Sequence, residues 1–310
     1  GDFDLAAIDP ACEREAGLIS LAVPRLVMGA TEITADQIGM HYEIETNPLL
    51  GGQLAKLVGN VPPAASGGPN MVNASMSVEM GAVVQFLRDS SNAMAQVPFQ
   101  CPQLRDMNAQ IQQMAQTLNQ PMPPFIGNLR GFRAELLEVD PANPQPGNMR
   151  GMLSLEMASP QMVIGMASMM IPGFENLNIE PGADPVQVPR DLMMIATPDM
   201  EVYAVMSKNA IGGSLGKGQN EKLRGFLDQK GDSETAFFSF EYDMAMLAQL
   251  QSAGQDWANY AAAGQDDSDR AGSPDLQAVM EDYQAFLGRS RIEMHFDGNG
   301  LTIYNLQTFK

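Results

Sequence analysis

The chain has 310 residues, 45% of them apolar, with 37 acidic against 18 basic side chains and a net charge of -19. No run approaches the ~20 apolar residues of a membrane-spanning helix. So acidic a surface repels phosphate backbones and anionic headgroups, which argues against nucleic-acid binding and electrostatic membrane docking.

In chain order, residues 1–17 read as a polar lead with Pro10, and the opening Gly1 reads as a processed or trimmed N-terminus. Residues 18–23 read as an apolar strand ending at Val23-Pro24-Arg25, followed by Leu26-Val27-Met28. Residues 39–46 alternate as a strand, with Met40, Tyr42 and Ile44 on one face and His41, Glu43 and Glu45 on the other. Asn47-Pro48 supplies an N-cap followed by proline at the first helical position, predicting a helix to about residue 58. The Pro/Gly/Ser-rich stretch 62–70 is a loop, and 71–79 is a strand whose small residues face outward.

Helical spacing follows over 81–88 and 104–118, the second with Leu104, Met107, Ile111, Met114 and Leu118 on one face. Strands are expected over 131–139 and 149–157, joined by a Pro/Asn-rich loop, then a helix over 160–171. A strand over 201–207, a strand over 235–241, a helix from 244 to 250, an acidic linker over 263–273 and a helix over 274–287 come next. The chain closes on a hairpin, 289–296 and 301–309, over Asp297-Gly298-Asn299-Gly300.

The second half repeats the first in several places. Block 42–56 aligns without gaps on 203–217, matching Tyr42 with Tyr203, Gly51-Gly52 with Gly212-Gly213, Leu54 with Leu215 and Lys56 with Lys217. Val188-Pro189-Arg190 echoes Val23-Pro24-Arg25, and Leu192-Met193-Met194 stands where Leu26-Val27-Met28 stood. Ser239-Phe240-Glu241 matches Ser77-Val78-Glu79, and Arg291 and Glu293 fall where Arg133 and Glu135 stand. The reading is an α+β protein of two tandem similar halves, 1–157 and 158–310, each a mostly antiparallel sheet covered on one face by helices. The helix over 160–171 has no counterpart in the first half, so that half reads as N-terminally truncated.

Few residues carry a catalytic pattern. Gly212-Gly213-Ser214-Leu215-Gly216 fits the G-x-S-x-G nucleophile elbow, with His295 downstream. Its first-half counterpart is Gly51-Gly52-Gln53-Leu54-Ala55, so the glycine pair reads as a tight turn or close backbone approach at a helix start, and Ser214 as incidental. His41 and His295 each share a solvated strand face with acids (Glu43, Glu45, Glu293, Asp297). Met162, Met166, Met169 and Met170 form a stripe whose readings, in order, are core packing, a groove for an apolar ligand or partner, and a soft-metal site. The oxygen-rich runs at 266–269 and 297–300 lack calcium-loop spacing, and no nucleotide or zinc motif is present, so no cofactor and no metal is expected. Cys12 and Cys101, both in loop-like sequence, fit either one disulfide of an exported protein or two inert thiols.

Through the Val-Pro-Arg strand entry, the 42–56 and 203–217 blocks and the strand-to-helix joints at Glu79 and Glu241, the chain resembles duplicated α+β proteins of the bacterial cell envelope. The resemblance implies an extracytoplasmic setting and brings no catalytic residues. The expectation is therefore a non-enzymatic, soluble envelope protein binding a partner protein or an apolar ligand. A serine hydrolase using Ser214 and a purely structural scaffold are the alternatives.

Overall fold

Among the described residues the strands join into one antiparallel sheet of 11 strands. The computed structural model describes residues 9–62, 70–140, 148–193, 200–229, 236–244 and 286–310. In chain order the strands are β1 (Arg25–Ile33), β2 (Gln37–Glu45), β3 (Val72–Ser77), β4 (Leu129–Val139), β5 (Met149–Met157), β6 (Val186–Gln187), β7 (Val202–Met206), β8 (Ala210–Leu215), β9 (Phe238–Asp243), β10 (Leu287–Asp297) and β11 (Gly300–Phe309). Their order across the sheet is β1-β2-β11-β10-β9-β3-β4-β5-β8-β7-β6. The expected α+β class holds, but the two halves do not each own a sheet. β2 pairs with β11, β3 with β9, and β5 with β8, so the boundary at Met157–Ala158 divides the chain without dividing the sheet.

Among the described residues the α-helices are α1 (Pro10–Ala22), α2 (Pro48–Leu54), α3 (Met80–Gln96), α4 (Pro102–Arg105), α5 (Met107–Leu118), α6 (Pro160–Met170) and α7 (Asn220–Leu227). α2 starts as its sequence dictates, with the Asn47 side chain accepting from Leu50 N at 2.9 Å and Pro48 in the first turn. The expected strand over 18–23 is instead the end of α1. Asp9 Oδ1 accepts from Ala11 N at 2.8 Å and Pro10 opens the helix, the same start signal as at Asn47. α1 is then tied down at a distance. Cys12 and Cys101 form a disulfide, and the buried Glu15 carboxylate accepts from Gln100 N at 2.6 Å and Cys101 N at 3.1 Å.

Three further expectations are corrected. Leu192, matched in sequence with Leu26 of β1, closes a 3-10 turn over 190–192 and is not in a strand, and Met194 lies outside the described residues. Gly51-Gly52 lies inside α2, whereas Gly212-Gly213 lies inside β8, so neither pair is a turn at a helix start and the 42–56 and 203–217 blocks occupy different structures. α7 was not foreseen, although Leu223, Phe226 and Leu227 have helical spacing; all three are buried against Met152, Val205 and Ala210. Burying each such side chain contributes roughly 2 kcal/mol, enough to hold an eight-residue helix that would not persist alone. The expected helices over 244–250 and 274–287 and the linker over 263–273 lie wholly or mostly outside the described residues, as do most of the loops over 62–70 and 140–148.

α3 and α5 pack on each other, with Arg88 Nε donating to Leu118 O at 2.9 Å and the Asn92 and Asn119 amides paired at 3.0 Å. A second apolar cluster, Leu177, Ile179 and Met206 with Ile164 of α6, sits at the β7–β8 end of the sheet. Among the described residues no helix is long and apolar enough to cross a membrane.

Candidate functional site

In antiparallel pairs, residues directly opposite one another project from the same face, so the register identifies each face across all the strands. One line runs Met28, Tyr42, Ile303, Met294, Phe238, Met76, Phe132, Leu155, Ile211, Met206, apolar at every strand from β1 to β7. The neighbouring line on the opposite face runs Gly29, His41, Tyr304, Glu293, Ser239, Ser75, Arg133, Ser154, Gly212, Val205. The sheet therefore has an apolar face and a polar face.

The burial of the two faces is inverted. In β3 the polar Asn73, Ser75 and Ser77 are buried while Val72, Ala74 and Met76 are partly exposed. β4 buries Arg133 and Glu135 and leaves Phe132, Ala134 and Leu136 partly exposed; β9 does the same with Ser239 and Glu241 against Phe238, Phe240 and Tyr242. The small residues expected to face outward on β3 thus face inward. Along β9 the rings of Phe238, Phe240 and Tyr242 follow one another at centroid distances of 6.4 and 5.2 Å, and on β5 Leu153 and Leu155 are 45% and 38% exposed. Soluble sheets with one solvated face normally show hydrophobic residues inward and polar residues outward.

The polar face is held by charge pairing. Arg133 is wholly buried: its guanidinium donates to Phe226 O and to Gln229 Oε1 (2.7 Å) and lies 3.9 Å from the Phe226 ring centre. Burial lowers its pKa, opposed by Glu156 and Glu135, and burial likewise raises the pKa of Glu156, opposed by a hydrogen bond from Ser154 and the charge of Arg133. Two strands beyond β3, Arg289 Nε donates to Glu241 at 2.6 Å and its Nη2 to Asn70 O at 2.8 Å, while Arg291 pairs with Glu293.

The two histidines, expected to be solvated, meet on one tyrosine. His41 stacks on Tyr304 at 5.2 Å and His295 meets it edge-on at 5.8 Å. Beside them is a shallow cleft of about 200 Å³ bordered by Thr31, Gly39, Arg291, Glu293 and Tyr304. His295 Nε2, 3.9 Å from Glu293, and then Arg291 hold the Glu293 carboxyl below its usual range against the opposing effect of burial. Tyr304 was missed because its place between the histidines depends on β2 pairing with β11, for which the sequence carries no local mark. Among the described residues no three His, Cys, Asp or Glu side chains converge as a metal site would require.

Ser214 and His295 are far apart. Ser214 is buried on β8 and His295 lies on β10, with β9, β3, β4 and β5 between them, about 24 Å at ~4.8 Å per strand. A serine–histidine hydrogen bond of about 3 Å is out of reach. The methionine stripe of α6 is split by exposure. Met162 is partly buried with its sulfur 3.5 Å from Asn128 Nδ2, and Met166 is partly buried, while Met169 and Met170 are 81% and 76% exposed. The side chain of α6 that joins the apolar cluster is Ile164.

No family model, curated protein or solved structure matches the chain.

Proposed function

We propose that this chain is a non-enzymatic bacterial envelope protein whose apolar sheet face receives a partner protein. The inverted burial of β3, β4 and β9 carries the reading, because partly exposed aromatic and aliphatic side chains on adjacent strands form a broad surface and not a hole. Small apolar ligands favour concave, mostly apolar pockets. Two clefts bordered by described residues, of about 200 and 260 Å³, each include charged lining residues, Arg291 and Glu293 in one and Lys56 and Asp89 in the other. A protein partner matches a broad face better, since stable interfaces cover about 800 Å² on each side around an apolar centre. The Cys12–Cys101 disulfide supports an exported setting, where thiols oxidise and stay oxidised.

The test is site-specific photo-crosslinking in cells. A photoreactive residue at Leu155 should capture a discrete partner, and one at the exposed Glu138 should not. Equal adducts at both positions would sink the proposal. The hydrolase reading is tested by fluorophosphonate labelling, for which no adduct is expected at Ser214.

The proposal includes an origin by duplication. Read inward from either end, leaving β6 aside, the sheet has the same plan: a hairpin (β1-β2 or β7-β8), a second hairpin from the other half (β11-β10 or β5-β4), then one central strand (β9 or β3). Arg133 and Glu135 on β4, and Arg291 and Glu293 on β10, occupy matching strands in this plan. The correspondence supports pairing β2 with β8, in place of the residue match of 42–56 with 203–217.

A further inference from the structure

The two edges of the sheet are finished differently. β6 has only two residues and lies between Pro185 and Pro189, which cannot donate to an added strand. β1 has nine residues, eight of them exposed, and among the described residues nothing pairs with its outer side. Leu26, Met28 and Ile33 are 70%, 67% and 72% exposed there. Through Tyr42 and Ile303, Met28 is the end of the apolar line across the sheet. Long apolar edges invite strand addition, and native proteins normally shorten them, charge them or bend them away.

We infer that β1 is a homodimer edge, on which a second copy of this chain adds its own β1 antiparallel to form one continuous sheet. The charge pattern selects that occupant. Residues 26–31 (Leu-Val-Met-Gly-Ala-Thr) are uncharged, with Arg25 before them and Glu32 after. An antiparallel copy centred on Met28 sets Met28 opposite Met28 and Leu26 opposite Ala30, so the apolar faces of the two sheets join. It also brings each Arg25 next to the other copy's Thr31 and Glu32. A bulge between Ala30 and Glu32 puts Glu32 opposite Gly39, on the same face as Arg25, which faces Glu45. Opposite charges thus meet at both ends of the contact and no like charges meet at its centre, despite the net charge of -19. The inference concerns the edge and does not depend on what covers the apolar face.

Sedimentation velocity on the full chain tests it. The expected species is twice 33.4 kDa. Met28→Lys and Gly29→Lys should each weaken the dimer by roughly tenfold or more, because a lysine on the edge must be desolvated, and in Met28→Lys it also faces its own copy across the two-fold. A side chain at 29 meets nothing within 4 Å, so that variant keeps the monomer fold, checked by circular dichroism. Leu155→Lys, on the apolar face and away from the edge, should leave the dimer intact. A wild-type monomer at every concentration, or a dimer indifferent to both edge lysines, overturns the inference. Dissociation by Leu155→Lys alone would move the interface to the face and overturn it equally.

Discussion

The guanidinium of Arg133 lies 3.9 Å from the ring centre of Phe226 and donates to the carbonyl oxygen of the same residue, so one arginine fixes both the side chain and the backbone of the last turn of α7. A cation at a helix C-terminus also complements the helix dipole. Arg133→Met fills most of the volume but leaves Phe226 O, Gln229 and the neighbouring acids without their partner. The expected loss is about 3 kcal/mol in urea unfolding, with Arg133→Lys recovering only part, since an ammonium cannot serve both acceptors and lie flat on the ring.

Two glutamates should respond to pH in opposite directions. Glu156 has a carboxyl pKa raised by burial, so ionising it opposes folding; the penalty is absent at low pH and grows as pH rises through the shifted value. Glu156→Gln should therefore stabilise the protein at neutral pH and make no difference in acid. Glu293 is held low by His295 and Arg291, so its contribution is present at neutral pH and is lost as pH falls through the lowered value. Glu293→Gln should destabilise at neutral pH and converge with wild type in acid. Thermal melts across pH 3–8 decide both.

The glycine pairs should behave asymmetrically. A Cβ at Gly212 would collide with the Leu227 side chain, and one at Gly51 with the Gly298 carbonyl, whereas Gly213 has room and Gly52 meets nothing. Gly212→Ala should cost about 1–3 kcal/mol through overpacking of a flexible leucine. Gly51→Ala should cost more, because backbone must move. Gly213→Ala and Gly52→Ala should be near neutral, read from denaturant midpoints. The second pair is the internal control for the first.

The disulfide between Cys12 and Cys101 spans 89 residues. Its removal by Cys101→Ser should lower stability by about 3 kcal/mol. The loss should be seen first as faster amide exchange in α1, leaving β4 and β5 protected. Glu15→Gln should speed the same exchange more mildly, because its carboxylate bridges Gln100 N and Cys101 N.

What could be read from sequence was local. The Asn47-Pro48 start of α2, the alternation of β2 and the Asp297–Gly300 hairpin are each set within a few residues. Asp9-Pro10 was the same kind of signal as Asn47-Pro48, but the apolar run at 18–23 outweighed it and turned a helix into an expected strand. The glycine-pair match failed for another reason. Glycine tolerates helix and strand alike when packing demands close approach, so a shared Gly-Gly cannot tell α2 from β8. The candidate surface was hidden because alternation gives two faces without saying which is buried. Asn73, Ser75 and Ser77 look like a wet face until Arg133 and Glu241 are placed beside them by strands far away in the chain.

The interleaving of strands also governs when this protein can exist during synthesis. Glu45 pairs with Gly300, and β5 must wait for β8, so a ribosome that has made the first 157 residues has made a hairpin with no neighbour and a central strand with one side open. Local helices and hairpins can form early, whereas the β2–β11 pairing closes only after the final hairpin has been made, and a topology this rich in long-range pairings folds slowly. A fragment ending at Met157 would be an unfinished sheet, with the edges of β2, β3 and β5 open to other chains until β11, β9 and β8 have been made.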